Sequence, residues 1–270
     1  MSQASRDSLA QLHTELKATL SAGGVELGAE LFAALKVIDE NGALRRSITD
    51  PTVEANRRQE LIRKVFANKV ATNTVTVLQD LAGVRWTTER EFGDALEEMA
   101  ATTAIYNAEQ GGLAGLKTLT QQLLEFNRVV EASHELQRAL TDQQAPVSSR
   151  GDLADNLMSA NALNSAKLLV RQAVENPRGV KPVDLVRRFA DLSAQQQRQW
   201  IADVTVARPL QQAQLDRLAG SLSSTFGRQL QLNVHTDPQL IGGIRIQVGD
   251  EVIDSSVASR LNDLNTKLAG

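Results

Sequence analysis

The three histidines are the first residues whose chemistry could indicate catalysis or metal binding. His13, His134 and His235 lie far apart in the chain, and none belongs to a His-Glu-x-x-His pattern or to a carboxylate cluster with ligand spacing. Each is expected to lie on the surface or to pack against a neighbour. The sequence therefore predicts no metal site, no cofactor and no catalytic histidine.

Nucleophiles are not indicated either. No Gly-x-Ser-x-Gly pattern occurs, and Ser148 and Ser149 precede an apolar helical pattern, where capping residues are found. The chain contains no cysteine, which excludes disulfides, thiolate metal sites and a thiol nucleophile, and which fits a reducing compartment. An enzyme with an unrecognised site is the weakest of three hypotheses.

A glycine-rich segment near the C-terminus has the most constrained pattern. It reads Ile241-Gly242-Gly243-Ile244-Arg245-Ile246-Gln247-Val248-Gly249-Asp250-Glu251-Val252-Ile253-Asp254-Ser255-Ser256-Val257. A phosphate-binding loop would need its glycines between a strand and a helix, usually with a lysine, whereas these two glycines precede a strand pattern. A tight turn between strands is the favoured interpretation.

The elements around these glycines follow from the spacing of apolar residues. Ile244, Ile246 and Val248 alternate with polar residues, which predicts a half-buried strand that Gly249 and Asp250 end. Asp254, Ser255 or Ser256 is expected to cap a final helix, whose apolar stripe comprises Val257, Leu261, Leu264 and Leu268. Asp250 and Asp254 could suggest paired carboxylates, but a strand end and a helix start favour structural roles.

Residues 201–270 are predicted to form a small α/β unit with the order β-α-β-β-α and about three strands. Ala202, Val204 and Val206 alternate as a first strand, and Leu230, Leu232 and Val234 as a second. Between them Pro209 is expected to open a helix that buries Leu215, Leu218 and Leu222 and ends before Gly227.

The first two hundred residues are predicted to be helical, in two copies. Apolar stripes at helical spacing comprise Leu9, Leu12, Leu16 and Leu20, then Leu27, Leu31, Leu35 and Ile38. Thr88 and Glu91 are expected to form a capping box, and Gly111-Gly112 closes the first block. A shift of 92 positions places Leu44-Arg45-Arg46-Ser47-Ile48-Thr49-Asp50 on Leu136-Gln137-Arg138-Ala139-Leu140-Thr141-Asp142. The fold is therefore predicted to be mainly α, with helical bundles at 1–110 and 111–200 before the α/β unit.

Composition excludes several functions. The 29 basic and 32 acidic residues give a net charge of −3, and aromatic residues make up 3%, so neither a basic surface nor stacking platforms for nucleic acid are expected. No run of 18 apolar residues occurs, and the first residues lack the apolar core of a signal peptide. Any membrane role is expected to act through a partner, without direct insertion in the bilayer.

The order of elements around Gly242 and Gly243, together with the upstream Val204–Leu210 segment and Asp237-Pro238, closely resembles the C-terminal domain of F-type ATP synthase delta subunits. The mitochondrial counterpart is the oligomycin-sensitivity-conferring subunit. The family motif falls here on Gly242, Gly243, Gly249, Asp250, Asp254 and Ser256, with structural roles. The two helical copies resemble the actinobacterial form, so the likeness covers essentially the whole chain.

The resemblance implies a non-catalytic stator subunit on the cytoplasmic face of the cell membrane. In this family the N-terminal helical domain binds the N-terminal segment of an alpha subunit, and the C-terminal domain binds the b subunits of the peripheral stalk. Candidate contacts with the stalk are Val257, Leu261, Leu264 and Leu268, which could equally pack on the sheet. Candidate grooves for the alpha segment contain Leu9, Leu12 and Leu16 in the first copy and Leu119 and Leu123 in the second. The competing hypothesis is a helical adaptor of an unrelated assembly.

Overall fold

A computed structural model describes residues 1–198, 200–237, 240, 243–249 and 251–254. The chain divides into two compact units, Met1–Ser193 and Ala194–Gly270. The first is helical, and the second contains a small mixed sheet. This confirms the predicted fold class, mainly α with a small C-terminal α/β domain.

The described residues form eleven helices before the sheet. They are α1 Gln3–Ala22, α2 Gly24–Glu40, α3 Gly42–Thr49, α4 Ala55–Phe66, α5 Thr72–Gly83, α6 Glu89–Glu109, α7 Gly112–Glu131, α8 His134–Thr141, α9 Val147–Leu157, α10 Asn164–Glu175 and α11 Pro182–Arg198. The two predicted leucine stripes lie in α1 and α2, and both are buried. Apolar residues at helical spacing thus identified the inner faces correctly.

The two series of helices repeat with the predicted offset of 92 residues. Helices α8, α9 and α10 begin 92 residues after α3, α4 and α5, respectively. The local capping also repeats, since the Asn41 side chain accepts a hydrogen bond from the Leu44 amide at 3.0 Å and the Ser133 hydroxyl accepts one from the Leu136 amide at 3.3 Å. The repeat is therefore structural as well as sequential.

Helix α6 belongs to both copies. It closes the first copy as its last helix, and its C-terminal half lies 92 residues after α1, where the second copy needs a first helix. The positions equivalent to Leu9, Leu12 and Leu16 are three buried alanines, Ala101, Ala104 and Ala108. Helix α6 packs against α1, α2, α5, α7 and α10, so the two copies share one compact unit.

A cluster of charged residues joins the copies beside α6. Arg178, between α10 and α11, donates to Asp39 of α2 at 2.7 Å and to Asp94 of α6 at 2.9 Å. Its Nη1 also lies 3.6 Å from the buried carboxylate of Glu97. Burial raises the pKa of Glu97, and the positive charges of Arg178 and Arg188 only partly offset this effect.

The second unit contains a four-stranded sheet with one helix packed on it. Its elements are β1 Ile201–Val206, α12 Gln212–Phe226, β2 Gln231–Thr236, β3 Ile244–Val248 and β4 Glu251–Asp254. The strand order is β2-β1-β3-β4, with β2 parallel to β1 and the remaining pairs antiparallel. The core contains Ala202, Val204, Val206, Leu222, Leu230, Ile246 and Val248. It includes the whole predicted inner face of β1 and two of the three residues predicted for β3, and the third, Ile244, packs against it partly buried.

Two local predictions for this unit are wrong. The predicted count of about three strands is wrong, because Glu251–Asp254 pairs with β3 as a fourth strand. Helix α12 begins at Gln212 and not at Pro209, because the side chains of Gln211 and Gln214 form a reciprocal capping box after the proline. Gly227 ends this helix with φ of 65°, as predicted. The predicted final helix lies outside the described residues.

The predicted capping box of α6 is formed only in part. The Thr88 hydroxyl accepts from the Glu91 amide at 3.2 Å, but the Glu91 carboxylate does not return to Thr88. It accepts instead from the Ser5 hydroxyl at 2.7 Å, the Thr87 amide at 3.2 Å and the Ser2 amide. Glu91 thereby connects the first turn of α1 to the first turn of α6.

We expect Glu91→Gln to destabilise the protein in a pH-dependent way. Burial raises the pKa of Glu91, but the hydrogen bonds from Ser5, Ser2 and Thr87 outweigh burial and lower it. A lowered pKa in the folded state gives stability that is present above the ordinary glutamate value and is lost as the pH falls through the folded value. The variant should lose about 1–2 kcal/mol in urea unfolding at pH 7, and this loss should shrink as the pH falls below the ordinary glutamate value. A difference independent of pH would contradict this.

We expect Arg178→Ala to be far more destabilising than the loss of a surface pair. The Arg178 side chain is only 8% exposed, and its removal takes the buried cation away from three neighbouring carboxylates. The remaining cations, Arg90 and Arg188, are more exposed and lie 3.7 Å from Asp94 and 3.5 Å from Glu97. The expected cost is about 3–5 kcal/mol in urea unfolding. Arg187→Ala is the matched control, since Arg187 pairs with Glu131 at 2.7 Å at an exposed position and should cost at most about 1 kcal/mol. Equal costs would contradict a buried joint between the copies.

Candidate docking surfaces

The described residues bring no catalytic or metal-binding constellation together. His13 Nε2 lies 3.3 Å from a Glu98 oxygen, His134 is exposed at the start of α8, and His235 Nε2 lies 3.8 Å from an Asp203 oxygen. Within the described part of the chain, no group of three or more His, Cys, Asp or Glu residues could hold a metal ion. No helix of that part is long and apolar enough to cross a bilayer. The candidate sites that the sequence predicts are docking surfaces.

The five leucines predicted to contact the alpha segment lie in the core of the helical unit. Leu9, Leu12 and Leu16 are at most 5% exposed, and Leu119 and Leu123 are fully buried. A partner lying on this unit would first meet the side chains next to them. Their contact with a partner stays a prediction, and the exposed neighbours become the residues of interest.

Helices α1 and α5 pack against each other and leave such neighbours exposed. We define the α1–α5 surface by Gln11, Glu15 and Ala18 of α1 and by Asn73, Thr76 and Asp80 of α5. Their spacing of three and four residues places each trio on one side of its helix. All are exposed except Asp80, which is partly buried. Small and polar side chains on both helices leave room for a third helix to approach closely.

An acidic pair spans this surface. Burial raises the pKa of Asp80, and the negative charge of Glu15 on the adjacent helix raises it further. The repulsion therefore acts between α1 and α5. A positive charge placed between the two carboxylates would relieve it. The α1–α5 surface thus favours a partner that carries a lysine or an arginine at this point.

The family motif residues are described only in part. Gly243 and Gly249 have positive φ, of 89° and 58°, and flank β3 as turn residues. Asp254 lies opposite Arg245 in the β3–β4 register. Gly242, Asp250 and Ser256 lie outside the described residues, as do all four predicted stalk contacts, Val257, Leu261, Leu264 and Leu268. Their predicted roles stay predictions.

Sequence reasoning missed the α1–α5 surface because it selected apolar stripes, which identify the buried side of a helix. An exposed side with Gln, Glu and Ala resembles any solvated helix face. The available signal was a comparison between the two copies, in which the counterparts of Glu15 and Asp80 are the uncharged Asn107 and Gln172. That difference marks one surface as charged and the other as neutral.

Comparison with known proteins identifies the family. The family model described as ATP synthase delta (OSCP) subunit matches residues 100–268. The chain is 44% identical over 276 residues to the ATP synthase subunit delta of Arthrobacter sp. strain FB24, and the alignment covers 100% of each protein. The delta subunits of Renibacterium salmoninarum and Thermobifida fusca are 42% and 34% identical, again over 100% of each protein.

Among solved structures, a chain of the Toxoplasma gondii mitochondrial ATP synthase hexamer is 18% identical to this protein, with a TM-score of 0.34. The superposition covers 64% of this chain and 97% of the Toxoplasma chain, and a TM-score this low does not establish a common fold. The delta subunit alignments, in contrast, extend over both helical copies and the α/β unit. The chain belongs to the ATP synthase delta (OSCP) subunit family.

Proposed function

We propose that this chain clamps the catalytic head of an F-type ATP synthase to the membrane-anchored b stalk. Membership of the delta family along the whole chain is the observation that carries the proposal. The rotor exerts torque on the head, and a stationary connection must resist that torque for proton translocation to drive ATP synthesis. As a non-catalytic subunit on the cytoplasmic face of the cell membrane, the chain acts through its interfaces.

The alpha subunit N-terminal segment binds the α1–α5 surface in this proposal. Two packed helices form a shallow groove, into which an amphipathic helix can lay one face. The protein contains an internal example, because α2 packs on the helix pair α6 and α10, which lies 92 residues after α1 and α5. The acidic pair of Glu15 and Asp80 adds a preference for a basic residue on the incoming segment.

The α/β unit binds the ends of the b subunits. In the described residues, Val252 and Ile253 of β4 are 54% and 38% exposed, so the outer strand of the sheet presents apolar side chains to a partner. The stripe of Val257, Leu261, Leu264 and Leu268 follows directly in the sequence. We propose that the stripe and β4 contribute to one stalk-binding surface.

Calorimetric titration of the full chain with a peptide from the alpha subunit N-terminus of the same organism tests the head contact. We expect saturable binding that Gln11→Trp weakens by about tenfold or more, because an indole on the α1–α5 surface obstructs the peptide. Ala10→Trp is the matched control, since Ala10 is also exposed but points about 100° away around α1. Equal affinities of the two variants would contradict the assignment of the surface.

A second titration, with a soluble fragment of the b subunit, tests the stalk contact. We expect Leu264→Asp to weaken binding by at least about tenfold, because a carboxylate in an apolar interface loses its hydration. Circular dichroism of the variant must show unchanged helix content. A folded variant that binds the b fragment like the native chain would show that Leu264 is not in the interface.

A further inference from the structure

The second helical copy contains a helix pair equivalent to the α1–α5 surface. Helix α10 begins and ends 92 residues after α5, and the C-terminal half of α6 lies 92 residues after α1. The counterparts of Gln11, Asn73 and Thr76 are Thr103, Ser165 and Leu168. If the copies were used alike, this α6–α10 surface would bind a second alpha segment.

The equivalent residues differ in exposure. Gln11, Asn73 and Thr76 are exposed in the first copy, as a solvated helix face is. In the second copy Thr103 is fully buried, Ser165 is 1% exposed, and Leu168 is partly buried. The α6–α10 surface is thus covered where the α1–α5 surface is open.

The cover is helix α2 of the first copy, which packs on both α6 and α10. It approaches closely at Gly28, where an added Cβ would lie 3.2 Å from the Ala100 carbonyl oxygen and 3.2 Å from the Leu168 side chain. One turn further along α2, the rings of Phe32 and Phe189 lie with centroids 6.2 Å apart. At the end of the helix, Asp39 accepts from Arg178 at 2.7 Å.

The residues that α2 contacts correspond to those of the α1–α5 surface. Leu168, which lies 3.2 Å from a Cβ added at Gly28, is the counterpart of the exposed Thr76. Helix α7, the counterpart of α2, also packs on α6 and α10, so this helix pair contacts one helix from each copy. The contact at Leu168 therefore places α2 where a partner would meet Thr76 in the first copy.

The polar residues of the two surfaces match these different environments. Glu15 and Asp80 carry charges that solvent or a cationic partner can compensate. Their counterparts are the amides Asn107 and Gln172, and Asn107 accepts from the buried Ser165 hydroxyl at 3.0 Å. At these partly buried positions, uncharged side chains avoid the desolvation cost of two carboxylates.

We propose that α2 is the permanent occupant of the α6–α10 surface, so that the chain binds a single alpha segment, at the α1–α5 surface. This rests on the proposed function and specifies which copy serves it. The second copy is a fixed extension, joined to the first by Gly28, Phe32 and Arg178. The contact at Gly28 indicates that the segment expected at the α1–α5 surface has a small residue where the helices cross. The carboxylates of Glu15 and Asp80 favour a basic residue opposite them.

The stoichiometry of the alpha peptide on the full chain tests this proposal. We expect one peptide per chain, and we expect Gln11→Trp at saturating peptide concentrations to retain no second, weaker site. Hydrogen exchange should show slower exchange in α1 and α5 when the peptide binds, and unchanged exchange in α10. The Ala10→Trp variant, with its indole outside the surface, should behave like the native chain in both measurements.

Two peptides per chain, residual binding in Gln11→Trp at a distinct site, or new protection of α10 would overturn the single-site proposal while leaving the clamp function standing. Absence of binding to the native chain would instead overturn the proposed function, and the single-site proposal would fall with it. The two failures are therefore distinguishable in one set of titrations.

Discussion

The structure of the helical unit depends on the burial of α6. Fourteen of its residues are buried, so this helix needs apolar cover on nearly every side. The helices of the first copy cover only part of α6. Helices α7 and α10 of the second copy cover the rest. The many alanines of α6 keep its diameter small enough for neighbours to approach from several directions. A cut at Gly111 would separate the second copy from α6, which serves as its first helix. The face of α6 that α7 and α10 cover would then be exposed.

The ion pairs of Arg178 with Asp39 and Asp94 fix the orientation of helices that pack together through apolar contacts. Hydrophobic burial alone tolerates small rotations between helices, whereas an arginine held by Asp39 and Asp94 at 2.7 and 2.9 Å fixes the loop before α11 relative to α2 and α6. The desolvation of Glu97 makes the cluster expensive in free energy, so its contribution lies more in defining one arrangement than in stability. In the proposed clamp function such a joint would be useful, because a stiff connection transmits a load with little deformation.

Much of this fold follows from sequence periodicity, because amphipathic helices and alternating strands place their inner faces by spacing alone. The stripes of α1 and α2, the inner faces of β1 and β3, and the 92-residue repeat were all predictable in this way. Three features were not. Strand β4 has only four residues and depends on pairing with β3. The Glu91 carboxylate accepts hydrogen bonds from residues that lie 86 and 89 positions away in the sequence. The exposed residues that define the α1–α5 surface form no apolar pattern. Each depends on contacts that are distant in sequence.

The two copies differ at equivalent positions in ways that fit the different roles proposed for them. At equivalent positions the first copy has Trp86, buried with its indole bonded to the Leu81 carbonyl, and the second has Arg178, which reaches into the first copy. Thr76 is open to solvent, and its counterpart Leu168 lies under Gly28. Each change replaces a residue suited to the interior or surface of a single bundle with one suited to a joint between two bundles. The same helix arrangement can therefore present a binding surface at one end of the repeat and fill the equivalent surface at the other, without any change in the path of the backbone.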